Sequence, residues 1–150
     1  DIKRVVMRVK MGQAALDSAT QVAFGVGSAR ADAIDSIAAA ALFRVIGADD
    51  TTAVVVETDD GSNDNNDVAT GQTLINSYKE FIIDFSGGKS DVKFYMDNGD
   101  GNLQRVASST SFDMSGYSAG LQPIIQIQKT ADTNTDSVIV DYVRIESNRA

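Results

Sequence analysis

A chain of 150 residues is long enough to bury a full core and is most simply one domain, residues 1–150. Its 21 acidic residues against 13 basic ones leave a net charge of −8, so a phosphate backbone or an anionic bilayer would repel it. It contains no Cys and no His, which excludes disulfides and thiolate metal sites and removes the commonest general base and metal ligand.

No apolar run approaches the ~18 residues of a membrane span, and no signal peptide is visible. Ile2–Met11 reads as a first strand or an N-terminal arm, with Val5, Met7, Val9 and Met11 on one face. The opposite face carries Arg4, Arg8 and Lys10. These three are interface candidates for an acidic partner, and the plainer reading is a solvated strand face. After a loop over 12–20, Val22, Phe24 and Val26 alternate into Gly27, and Gly25 inside that run marks a bulge or a close backbone approach.

The segment 29–46 is ambiguous. RADAIDSIAAA holds helix formers with Ile34 and Ile37 at helical spacing, whereas ALFRVI is a better strand. The expectation is a single helical turn around 31–37 and a strand from about Ala39, with a ten-residue helix as the alternative. Thr52–Thr58 is a compact β-branched strand. Residues 59–71, DDGSNDNNDVATG, have hardly an apolar group and read as a long surface loop.

Strands follow at Tyr78–Ser86, Val92–Asp97 and Leu103–Ala107, the last two joined by the tip NGDGN. Ser108–Gly120 is a crossing that carries Phe112, Met114 and Tyr117 over the sandwich edge. Pro123–Lys129 and Ser137–Glu146 read as a closing hairpin. In its first strand Ile125 and Ile127 point one way, and Ile124, Gln126 and Gln128 the other, which predicts one buried face. The second strand is apolar on both faces at its start, as in a sheet's middle. There Tyr142 shares a face with Val138 and Val140, and Asp141 with Ile139 and Val143. About nine short strands with one Pro predict an all-β, two-sheet antiparallel jelly-roll sandwich with at most one short helix.

The acidic turns are the places where chemistry could lie. Asp59, Asp60, Asp64 and Asp67 are calcium candidates as hard oxygen donors, although no EF-hand spacing is present. Asp132, Asn134 and Asp136 alternate, but Ser137 and Val143 stand where that loop needs Gly and Glu. Asp, Asn and Gly are also simply turn residues. Glu57 and Asp59 put two carboxylates on one strand face, as a glycosidase would, yet no second Glu follows shortly after Asp59 and no Trp offers a sugar platform. No GxSxG or phosphate loop occurs, so no catalytic residue and no cofactor site is expected, and the chain reads as a non-enzyme.

The ordered segments FGVG, ALFRV, VVETDDG, DVATG, EFIIDFSGGKSDVKFYMD, FDMS, LQPIIQIQK and VIVDYVRI resemble concanavalin A-like (laminin-G-like) jelly-roll sandwiches, of the kind found in bacteriophage capsid decoration and cement proteins. The resemblance spans roughly Val22 to Glu146. It implies a virion protein on the outer surface of the capsid, a homo-oligomer (dimer or trimer) that bridges subunits of the major capsid protein. The alternative is a carbohydrate-binding, lectin-like module, calcium-assisted, that uses the loops 59–71 and 97–102 to hold a glycan. Neither reading involves nucleic acid or a membrane.

Overall fold

The computed structural model describes residues 2–131 and 133–147. Ten strands form two five-stranded antiparallel sheets. They are β1 (Ile2–Met11), β2 (Thr20–Gly27), β3 (Ala40–Ile46), β4 (Ala53–Asp59), β5 (Asp64–Thr73), β6 (Lys79–Asp84), β7 (Lys93–Asp97), β8 (Leu103–Val106), β9 (Gln122–Lys129) and β10 (Val138–Ser147), with one 3-10 turn at Ile34–Ser36. The first sheet runs β10-β1-β6-β7-β8 and the second β5-β4-β3-β2-β9. This is the expected all-β jelly-roll sandwich. β1 lies between β10 and β6, so residues 2–11 are a strand inside the sheet and not an arm.

Alternation explains the core. Val5, Met7, Val9 and Met11 of β1 face Val22, Phe24 and Val26 of β2 and their neighbours across the sandwich, all buried. Phe24, Phe43, Phe81, Phe94 and Phe112 form a chain of ring contacts with centroids 4.7–5.8 Å apart, mostly edge-on. Edge-to-face geometry is what the ring quadrupole favours, and it adds to the burial. Phe112 and Met114 reach this core from the 108–120 crossing, as expected, while Tyr117 stays half-exposed. At Gly25 no register shift interrupts pairing with β3 or β9. An added Cβ would lie 2.3 Å from the Ala41 carbonyl oxygen, so this glycine marks close backbone approach rather than a bulge.

A second, smaller apolar cluster lies on the outer face of the second sheet. Residues 29–39 fold over it and bury Ile34 and Ile37 against Ala23, Ala40, Leu42 and Ile124. The Gln126 amide donates to the carbonyls of Ala31 and Asp32, and the Ile34 amide donates to Gln128. The ambiguous segment is thus a cover with one helical turn, not a ten-residue helix.

Three features depart from the sequence reading. Residues 64–71, read as part of a loop, belong to the edge strand β5. β5 pairs with the β-branched run of β4 through two register shifts, with Asp67 and Gly71 at positive φ. Its partner supplies the order that its own composition lacks, and an edge strand tolerates polar side chains. Next, β9 and β10 are not a hairpin, because they lie in different sheets, each at an edge. The polar connection between them crosses from one sheet to the other. Within β9, Ile124 and Gln126 are buried under the 29–39 cover, while Ile125 and Ile127 are 38% and 42% exposed.

The remaining departure is a bulge. Register shifts between Arg8 and Val9 leave Asp141 as an extra residue opposite Arg8. Beyond it the alternation of β10 changes phase, and Tyr142 turns to the outer face, away from Val138 and Val140. There its hydroxyl donates to Glu80, and that hydrogen bond, followed by burial, raises its pKa.

Candidate functional site

The outer face of the second sheet carries a polar cleft of about 450 Å³, the size of a small-ligand site. Its floor is Arg44, the one charged residue of β3, whose alternation points it outward while Phe43 and Val45 point into the core. Arg44 is only 3% exposed. A buried guanidinium requires partners, and the neighbouring elements bring them. Glu57 of β4 accepts from Nη1, Gln21 of β2 from Nη2 at 2.7 Å, Asp35 of the 3-10 turn lies 2.7 Å from Nη2, and Asp67 of β5 lies 3.4 Å from Nη1. The Nε is buried without a partner.

Electrostatics in the cleft follow from that burial. Desolvation alone would lower the Arg44 pKa, but the hydrogen bond and charge of Glu57, with the charges of Asp35 and Asp67, outweigh it and hold the pKa raised. Glu57 is itself pushed up by burial, and Arg44 opposes the shift only in part. A raised carboxyl is what a glycosidase acid needs. Here its Oε2 is committed to the guanidinium and its side chain is 8% exposed, so it cannot reach a leaving group. Asp49, Asp59, Asp64 and Asn66 complete the walls, with Ile46 as the apolar element.

The calcium candidates separate in the fold. Asp59, Asp64 and Asp67 line the cleft, while Asp60 turns away from it. Asp59 closes a turn by accepting from the Gly61 amide at 2.7 Å, and Asp64 accepts from the Asn66 side chain at 3.0 Å. Asp60 is 5% exposed, and its oxygens accept from the amides of Ser62 (2.8 Å), Asn63 (2.6 Å) and Gly116 (2.7 Å) and from the Asn63 side chain (2.9 Å). The Asn63 amide leads these effects and, against burial, they hold its pKa down at about 2. This carboxylate ties the β4–β5 turn to the 108–120 crossing. Among the described residues no group of three or more acidic side chains is arranged to hold a metal ion.

The other acidic turns are used in the same way. In the 97–102 tip Asp97 accepts from the Gly99 and Gly101 amides at 2.7 and 2.9 Å, and Asp100 from Asn102 at 2.9 Å. Asp136 accepts from Thr20 Oγ1 and the Asp17 amide, which joins the β9–β10 connection to the β1–β2 loop. Asp132 lies outside the described residues. Self-satisfied Asx turns explain these clusters as structure.

The basic stripe is matched within its own sheet. Arg4 pairs with Asp84 at 3.3 Å, Arg8 with Asp141, and Arg8 and Lys10 both lie over the Tyr78 ring at 4.7 and 4.8 Å. Arg44 carries no motif, so sequence reasoning passed over it. The available signal was a charged residue inside the apolar run ALFRVI, which must find a counter-ion, with Glu57 in the next strand.

No family model matches the sequence, and no curated protein does. Among solved structures, the chain is similar to the crystal structure of an ancestral congerin, Con-anc, at 16% identity over 96% of this chain and 90% of that one, with a TM-score of 0.45. The fold assignment rests on the strand pairing itself and not on this likeness.

Proposed function

We propose that the chain is a non-catalytic carbohydrate-binding module whose site is the cleft above Arg44. The observation that supports it is the composition of that cleft. Six carboxylates and two side-chain amides surround one guanidinium already held by its neighbours. Acceptors outnumber donors there, so the complementary ligand supplies donors without negative charge, which is the chemistry of a neutral sugar's hydroxyls. With no aromatic ring in the cleft, binding rests on hydrogen bonds that replace water and is weak, with a Kd on the order of 0.1–1 mM. Neutral oligosaccharides on an array, followed by calorimetric titration of the hits, test the reading. Asn66→Ala combined with Asp64→Ala, both on the rim, should cost about tenfold or more in affinity and leave the fold intact. The binding should survive EDTA, because among the described residues no group of three or more acidic side chains is arranged to hold a metal ion. An array without hits, or affinity unchanged in the double variant, would sink it.

A different observation favours a second reading, that of a virion protein decorating or cementing the outer surface of a phage capsid. The sandwich keeps a long apolar edge along β9 and β10 in water, and a chain built to sit among shell subunits has reason to carry one. Stoichiometric co-sedimentation with expanded phage heads, and a rise in their disruption temperature, is the expected result. Failure to bind heads removes this reading and leaves the carbohydrate one standing.

A further inference from the structure

We propose that the open edge of the sandwich is a two-fold interface, in which β10 pairs antiparallel with β10 of a second copy. This goes beyond both functional readings and survives the failure of either. The four sheet edges are unlike one another. β8 is four residues long, β5 is polar and irregularly paired, and β9 carries Pro123, which cannot donate to a neighbouring strand. β10 is ten residues long, unpaired on one side and rich in apolar side chains.

The apolar side chains at this edge point toward the sandwich interior yet remain open to water. Opposed residues of an antiparallel pair share a face. Ile125 and Ile127 oppose Phe24 and Val22, and Val140, Val143 and Ile145 oppose Val9, Met7 and Val5, all core residues. All five are nevertheless exposed, Ile145 by 47%. A hollow of about 760 Å³ bounded by Ile2, Leu121 and Ser147 continues the opening at one end.

The pattern of β10 is self-complementary, which identifies the occupant as a second copy. The bulge at Asp141 makes the inward positions 138, 140, 143 and 145 rather than a strict alternation. These are symmetric about the midpoint between Asp141 and Tyr142. An antiparallel pair centred there sets Val140 against the partner's Val143, and Val138 against the partner's Ile145. On the outer face it sets Ile139 against the partner's Arg144. An isologous interface requires this match of a surface with itself. A regular strand centred there would oppose inward residues to outward ones, so the bulge, ordinarily a guard against edge pairing, is what permits the match.

Charge agrees. β10, β1 and β6 together carry six basic and four acidic side chains (Lys3, Arg4, Arg8, Lys10, Lys79 and Arg144 against Glu80, Asp84, Asp141 and Glu146), although the chain as a whole is at −8. The acidic excess lies elsewhere, so two copies meet at this edge with little repulsion. The strip is about 34 Å long and spans two layers about 10 Å apart. With its flanks it is of the same order as the ~800 Å² per partner of an ordinary stable interface.

Light scattering on the purified chain at micromolar concentration should give twice the 15.9 kDa chain mass. Val143→Lys should halve it while the far-UV spectrum is retained. Because the chain has no Cys, cross-linking reads the register directly, whatever the lysine variant does to folding. The Val140→Cys/Val143→Cys variant should run as a covalent dimer on a non-reducing gel, and Val140→Cys/Ile145→Cys should not. A monomer at 100 µM, a dimer indifferent to Val143→Lys, or equal cross-linking of both cysteine pairs would overturn the proposal. A monomer that binds phage heads through this edge would overturn it too, assigning the edge to a shell subunit.

Discussion

An Arg44→Met variant is expected to lose about 3–5 kcal/mol of unfolding free energy at pH 7, the usual cost of leaving one member of a buried ion pair alone. The residue left behind is Glu57, 6% exposed and already raised in pKa by burial with its guanidinium present. Asp35 and Asp67 contribute little to the loss, since their side chains are 65% and 44% exposed and water can solvate them. The pH dependence has a definite sign. A carboxyl whose folded pKa lies above its unfolded value binds its proton more tightly in the native state, so the penalty is present above the folded pKa and disappears as pH falls through it. The variant should therefore regain stability relative to the parent as pH is lowered from 7. Arg44→Met/Glu57→Met should recover most of the loss at every pH, because two apolar groups of similar volume replace the pair. Urea denaturation of the four members of this cycle at pH 7 and pH 5 measures both effects. A single variant as stable as the parent at pH 7 would mean that Arg44 is not the counter-charge Glu57 depends on.

Asp60→Asn is expected to show the opposite pH behaviour. The Asp60 carboxylate, drawn down from 3.8 to about 2, contributes about 2 kcal/mol at neutral pH, at ~1.4 kcal/mol per unit. A depressed carboxylate stabilises above its unfolded pKa and loses that contribution as pH falls from about 4 to about 2. Parent and variant should thus differ by about 2 kcal/mol at pH 7 and converge near pH 2. The asparagine amide turns a donor toward one of the backbone donors that the carboxylate accepts from, as the protonated carboxyl also does, so variant and parent become alike in acid. Gly116 reports on the same contact from the other side. An added Cβ there would lie 2.8–2.9 Å from the Asp60 carboxylate, so Gly116→Ala should be destabilising in the parent and close to neutral beside Asp60→Ala, which removes the atoms it would meet. Acid unfolding followed by circular dichroism checks the first claim, and the double variant checks the second. A constant difference down to pH 2 would show that Asp60 acts through something other than its charge.

The two carboxylates show how far residue type alone can be read. Asp60 was a sensible hard-oxygen donor in an acidic loop, and Glu57 a sensible half of a catalytic pair. Their roles are decided by partners 56 and 13 residues away along the chain, the Gly116 amide and the Arg44 guanidinium. No spacing rule reaches such partners. For the same reason the acidic surface loop became strand β5. Its ten residues have little β-propensity of their own, and the ladder to Val54–Thr58 overrides that local preference.

Alternation and turn chemistry were sufficient for the all-β class, for the span Ile2–Met11 and for the approximate place of every other strand except β5. Side-chain period and turn preference are local properties, and they survive without knowledge of neighbours. Which sheet a strand joins, which of its faces is covered and where a bulge resets the alternation are decided between segments. So Ile124 and Gln126 are buried by residues 29–39 while Ile125 and Ile127 are left open, and one extra residue at Asp141 sends Tyr142 outward. A period of two states that the faces of a strand differ, and only the packed layer opposite decides which of them is dry.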